Sequence, residues 1–141
     1  MKKRGCGIIF YNPEKTAVLL FRRDDKDFIP FPNMLDLLGG HIDEGEDPVA
    51  AVEREIAEEL LDLRTGKPFL LQGHEHFHIY EDERDCEQHI FTCEVNFDIP
   101  DVNLLEGQEL IWLTKKEIEN GTKLAFGFEE IIKKFFIETT L

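Results

Sequence analysis

An α/β or α+β sandwich is the fold class this chain predicts. Three observations point to it: short apolar stretches of strand character, two segments with apolar residues at helical spacing, and a mixed order of the two kinds along 141 residues. A hydrophobic content of 42% supports one core, and the length is short for two ordinary domains, so a single domain over residues 1–141 is expected. Residues 4–10 and 17–22 read as a hairpin around the turn "NPEK", with Pro13 where a turn can use it. A charged loop, "RRDDKDFIPFPN", leads to the apolar segment "MLDLL". That segment runs into Gly39-Gly40, where the backbone can bend sharply or approach a ligand closely.

Asp47 followed by Pro48 supplies an N-cap and a first-turn proline, so a helix starts there. Val49, Val52, Ile56, Leu60 and Leu63 follow at helical spacing and form one apolar face. Residues 69–80 and 89–99 read as long strands joined across "EDERDCE". Phe69, Leu71, Phe77 and Ile79 share one side of the first; Phe91, Cys93, Val95, Phe97 and Ile99 share one side of the second. A strand at 109–113 ("ELIWL"), a short helix from Thr114 and an amphipathic helix bearing Phe128, Ile131, Ile132, Phe135 and Phe136 complete the chain.

Composition narrows the function. Thirty acidic residues against 16 basic ones give a net charge of -14, which opposes duplex nucleic acid. A small phosphorylated ligand stays compatible, because divalent cations can invert the field within one site. No apolar run reaches the roughly 18 to 20 residues of a membrane span. The basic start "MKKR" is followed by an apolar stretch that stops at Asn12-Pro13, so no export is expected. Cys6, Cys86 and Cys93 fit neither a disulfide framework nor a zinc ribbon and read as reduced thiols of a cytoplasmic protein.

The stretch "GGHIDEGEDPVAAVEREIAEEL" carries the chemistry. Glu55, Glu58 and Glu59 stand at i, i+3 and i+4 and share a helical face, with Arg54 the one basic residue between Asp47 and Asp62. Like charges at these spacings cost a few tenths of a kcal/mol per pair. The face is therefore either solvated or a site for a hard divalent cation.

This stretch resembles the signature of the Nudix hydrolases: Gly40, Glu46, Arg54-Glu55-Ile56 and Glu58-Glu59 stand at its spacings. Leu61 stands where the signature has glycine, Asp62 where it has an aliphatic residue, and Leu38 where many members have proline. The helix is then expected to run on toward Gly66, with Leu63 taking the apolar contact. The order of strands and helices resembles the family along nearly the whole chain, which implies a Nudix-type α/β/α sandwich around a mixed β-sheet.

The resemblance implies hydrolysis of a pyrophosphate in a nucleotide or nucleoside diphosphate derivative, with Mg2+ as cofactor and Mn2+ as a substitute. It implies Glu55, Glu58 and Glu59 as metal ligands together with the carbonyl of Gly39, and a supporting ion pair between Glu46 and Arg54. The general base is open among Glu58, Glu59, Glu106 and Glu109. Arg22 and Arg23 are candidate phosphate donors. Phe28 and Phe31 are base-stacking candidates, more simply read as loop packing. His74, His76 and His78 alternate along a strand, most simply as its polar face. The partner expected is a small nucleotide, and a homodimer is compatible. From other classes come a catalytically silent Nudix-fold module that senses nucleotides or binds protein, and an acidic adapter.

Overall fold

The computed structural model describes residues 2–139. Its elements run β1 (Arg4–Tyr11), β2 (Ala17–Arg22), β3 (Leu35–Asp36), β4 (Leu38–His41), α1 (Pro48–Glu59), β5 (Leu60–Asp62), β6 (Lys67–Pro68), β7 (Glu75–Glu81), β8 (Glu87–Glu94), β9 (Val102–Leu104), β10 (Glu109–Thr114), α2 (Lys115–Glu119) and α3 (Glu129–Thr139). The main sheet has the order β10-β2-β1-β8-β7, with β3 paired to β2 and β4 to β1; β6-β5-β9 form a small second sheet. The sheet is mixed, because β1 runs parallel to β8 and antiparallel to β2 and β4.

Alternation along β1 sends Ile8 and Phe10 to one face and Ile9 to the other, and all three are fully buried. Ala51, Val52 and Ile56 of α1 close the first face, and Ile131, Ile132, Phe135 and Phe136 of α3 close the second with Ile118 of α2. This is the α/β/α sandwich around a mixed sheet that the sequence led us to expect.

Helix α1 stops earlier than expected. It ends at Glu59, and Leu60 is already extended (φ -123°, ψ 129°) as the first residue of β5. Strand pairing explains the stop: Leu60, Leu61 and Asp62 lie opposite Leu104, Asn103 and Val102 of β9. Asp62, the unusual residue at the aliphatic position, is buried and takes a bidentate contact from Arg64 at 3.0 and 3.2 Å. Leu63, expected to take the apolar contact, is exposed and belongs to neither core cluster. Val49 is also exposed, so the buried stripe of α1 is narrower than the sequence periodicity.

The segment 69–80 is likewise not one strand. Phe69 and Leu71 precede β7 and pack on the α1 side, whereas Phe77 packs on the α3 side and Ile79 is 52% exposed. A bulge between His76 and His78 shifts the register and breaks the shared side. His78 consequently parts from the other two: it lies 3.0 Å from Glu138, whereas His74, 3.3 Å from Glu53, and His76 both stand edge-on to Phe91. Phe91, Cys93, Val95, Phe97 and Ile99 do share the α1-side core, although β8 ends at Glu94.

The N-terminus of α1 fixes where its carboxylates fall. The Asp47 side chain accepts from the Val49 and Ala50 amides at 3.1 and 3.2 Å. Replacing Asp47 by Ala should cost about 1 kcal/mol, read as a lowered urea midpoint with unchanged slope.

Candidate active site

Strand β4 lies between β1 and α1. Gly40 and Gly39 pair with Cys6 and Gly7 of β1. Gly39 has φ +146°, and a Cβ there would collide with the Cys6 carbonyl; a Cβ on Gly40 would collide with the Glu55 carboxylate. Two residues without side chains let the backbone lie directly against the helix that carries the glutamates.

Arg54 organises the approach. Its Nε and Nη2 meet Glu46 at 2.9 and 3.0 Å, Nη2 also donates to the His41 carbonyl at 3.0 Å, and Nη1 meets Glu55 at 2.9 Å and Glu58 at 3.3 Å. The loop between β4 and α1 is thus tied to the helix by one guanidinium. The hydrogen bonds from Arg54, then that from the Asp43 amide, hold the Glu46 carboxyl down at about 2. Arg4 secures the loop to β1 by donating to the Asp43 and Glu46 carbonyls at 3.1 and 3.0 Å.

Glu55 and Glu59 line a cavity of about 600 Å3 together with Gly39 and Gly40. Glu59 is 8% exposed, and its carboxylate faces the Gly39 amide at 3.3 and 3.4 Å. Burial pushes its pKa up to about 9, with Glu55, Asp36 and Glu106 adding repulsion. Burial also raises Glu55, against the pull of Arg54. Glu58 is largely exposed, turned to Arg54, and is not part of the cavity wall. Among the described residues, no three His, Cys, Asp or Glu side chains converge closely enough to hold a metal ion. Beside Gly39-Gly40 the cavity wall carries the carboxyl oxygens of Glu55 and Glu59, hard donors of the type that suits Mg2+.

The two arginines part company. Arg23 lines the cavity, donating to Asp36 at 2.8 Å and to the Pro30 carbonyl at 2.9 Å, with its guanidinium 5.3 Å from the Phe126 ring. Arg22 is absent from the wall; it contacts Glu109 at 2.9 Å and the Asn33 carbonyl at 3.0 Å. Glu106 lines the cavity and Glu109 does not. Phe28 is 84% exposed at the cavity wall, so packing beneath the loop does not account for it, while Phe31 stands edge-on to Phe126 at 4.7 Å.

Sequence reasoning missed Asp36, Gln88, Arg84 and Phe126, which line the same cavity. Asp36 did leave a signal, being a polar residue within the apolar segment "MLDLL"; Gln88, between Glu87 and His89, left none. Burial lifts Asp36 to about 6, against the pull of Arg23.

A NUDIX domain model matches residues 1–135. Among solved structures, MutT from work on Aliivibrio salmonicida and Vibrio cholerae is 14% identical with a TM-score of 0.74, over 98% of this chain and 99% of that one. The NUDIX domain of Shewanella oneidensis NrtR, complexed with ADP ribose, is 17% identical with a TM-score of 0.73, over 99% and 89%. A MutT protein from Methanosarcina mazei is 20% identical with a TM-score of 0.66, over 99% and 96%. No curated protein sequence is significantly similar.

Two outcomes follow from this geometry. Gly39→Ala meets backbone and an unfavourable φ, so it should lose about 1–3 kcal/mol of stability. Gly40→Ala meets only the movable end of Glu55, so it should keep most stability while displacing that carboxylate; thermal melts and Mg2+ titration separate the two. For Glu59, a folded pKa near 9 above the ordinary 4.5 means that stability is full below about pH 4.5 and falls as pH rises through 9. In chelator, Glu59→Gln should therefore melt above the parent by about 4 °C or more at alkaline pH, with the gap closing at pH 4. Mg2+ should raise the parent's melting temperature and leave the variant's almost unmoved.

Proposed function

This chain belongs to the Nudix family, and on that premise we propose that it hydrolyses the pyrophosphate linkage of a nucleotide or nucleoside diphosphate derivative with Mg2+, for which Mn2+ can substitute. One observation carries the reading: Glu55 and the buried Glu59 open onto a single cavity beside Gly39-Gly40. Two carboxylates in so poorly solvated a place repel each other and are costly to ionise, which a divalent cation reverses.

Glu55, Glu59 and the Gly39 carbonyl would hold the cation, joined by Glu58 once it leaves Arg54. When bound, the cation supplies positive charge against the phosphates and lowers the pKa of water. The chain's own groups do the rest. Glu46 and Arg54 keep the loop and helix in register, and their loss should damage architecture before chemistry. Arg23, held by Asp36 and the Pro30 carbonyl, faces the cavity as a phosphate donor. Glu106 on the wall and Glu58 or Glu59 on the helix remain the candidates for the general base.

The ligand is a small nucleotide. ADP-ribose, with which the Shewanella domain was crystallised, belongs in the panel beside nucleoside triphosphates, nucleotide sugars and dinucleotides. The same precedent supports a second reading, a nucleotide-binding module without turnover. The three free cysteines support a reducing, cytoplasmic setting for one domain of this kind.

The test is product release from that panel with Mg2+. Turnover by the parent should fall roughly 100-fold or more in Glu58→Gln and Glu55→Gln, the loss of several kcal/mol of charge stabilisation. Metal and nucleotide binding without any cleavage would favour the silent module.

A further inference from the structure

Away from the glutamates, the cavity wall contains a buried amide whose orientation is fixed. Gln88 of β8 is 8% exposed, and its Nε2 donates to Asp82 Oδ2 at 3.1 Å and to Cys86 Sγ at 3.6 Å. A carboxylate only accepts, so the NH2 end must face Asp82 and Oε1 must face the other way. Both Nε2 hydrogens are engaged. Oε1 receives no hydrogen bond from the described residues, yet it is not among the sealed, unpartnered buried atoms. Gly5, directly opposite Gln88 across β1 and β8, leaves room for the amide, since a Cβ there would stand 2.7 Å from Oε1.

Asp82 is itself locked: it also accepts from the backbone amides of Arg84 and Cys86 at 2.9 and 3.0 Å. The same turn sets the Arg84 guanidinium 5.1 Å from the Phe126 ring, and both residues line the cavity. An acceptor without a donor thus shares the cavity wall with a stacked cationic and aromatic pair. Gly5 pairs with Gln88 on one side and His41 on the other, so Gln88 lies two strand spacings, about 10 Å, from the β4 backbone beside Glu55. That separation matches the scale of one nucleoside between its base and its phosphates.

We propose that Gln88, oriented by Asp82, is a specificity-determining acceptor that selects nucleotides whose base carries an exocyclic amino group: adenine, guanine or cytosine over hypoxanthine, uracil or thymine. An amino group projects from the ring and donates to Oε1 directly. A lactam N–H is flanked in the ring by a carbonyl oxygen, which would come to lie beside the acceptor Oε1. The inference rests on the nucleotide reading above, and it does not require turnover.

The test is calorimetric binding, in Mg2+, of methylene-bridged nucleoside diphosphates that cannot be cleaved. Two pairs differ only in the amino group: adenosine against purine riboside, and guanosine against inosine. The parent should favour the amino member of at least one pair about tenfold, as for one hydrogen bond to a desolvated acceptor. Gln88→Leu should abolish that preference while still binding both. Asp82→Asn, which lets the amide turn over, should relax or invert it with Gln88 still present, a result that a purely structural role for Gln88 would not give. Should Gln88→Leu fail to fold, the parent pairs and Asp82→Asn decide. Equal affinity within both pairs, or no binding of any compound, overturns the proposal. Amino-selective binding by a protein that cleaves nothing keeps this inference and removes the hydrolytic one.

Discussion

Repulsion among the carboxylates near the end of α1 is the constraint around which the site is arranged. Glu55 and Glu59 share a poorly solvated place, where an unpaired negative charge is expensive. Arg54 gives partial relief by contacting Glu46, Glu55 and Glu58. It cannot serve Glu59, whose nearest donor is the Gly39 amide at 3.3 Å. The protein leaves one buried carboxyl facing a cavity with a backbone amide as its donor, the feature on which the proposed cation site rests.

The sheet makes that arrangement possible. Because β1 pairs with β8 on one side and with β2 and β4 on the other, the Gly39-Gly40 backbone lies between the central strand and α1. A side chain at either glycine would meet an occupied position. The cavity follows from this close approach, with the helix on one flank and the loops after β2 and β7 on the other.

Charge on the cavity wall is mixed. In a chain of net charge -14, Lys3, Arg23, Lys26 and Arg84 reach the cavity beside Asp24, Asp36, Glu55, Glu59, Asp82 and Glu106. The proposed phosphorylated ligand would therefore need a divalent cation to offset the carboxylates before these basic groups could hold it.

The order of the larger strands and helices, the helix start and the glutamate spacing were legible in the sequence, because each is set by residues close in the chain: Asp47-Pro48 begins α1, and i, i+3, i+4 places Glu55, Glu58 and Glu59 on one helical face. What happens where distant segments meet was not legible. The stop at Glu59 depends on β9 pairing with β5, and the bulge that separates His76 from His78 depends on register with β8. Arg22 and Arg23 are neighbours in sequence, yet Asp36 draws one to the cavity and Glu109 holds the other outside its wall. Gln88 gains its meaning from Asp82 and Gly5. The sequence by itself determined which chemical groups are present and how local geometry clusters them; the tertiary structure alone decided which become buried, oriented and unpaired, since desolvation and hydrogen-bond partners come from segments far apart in the chain.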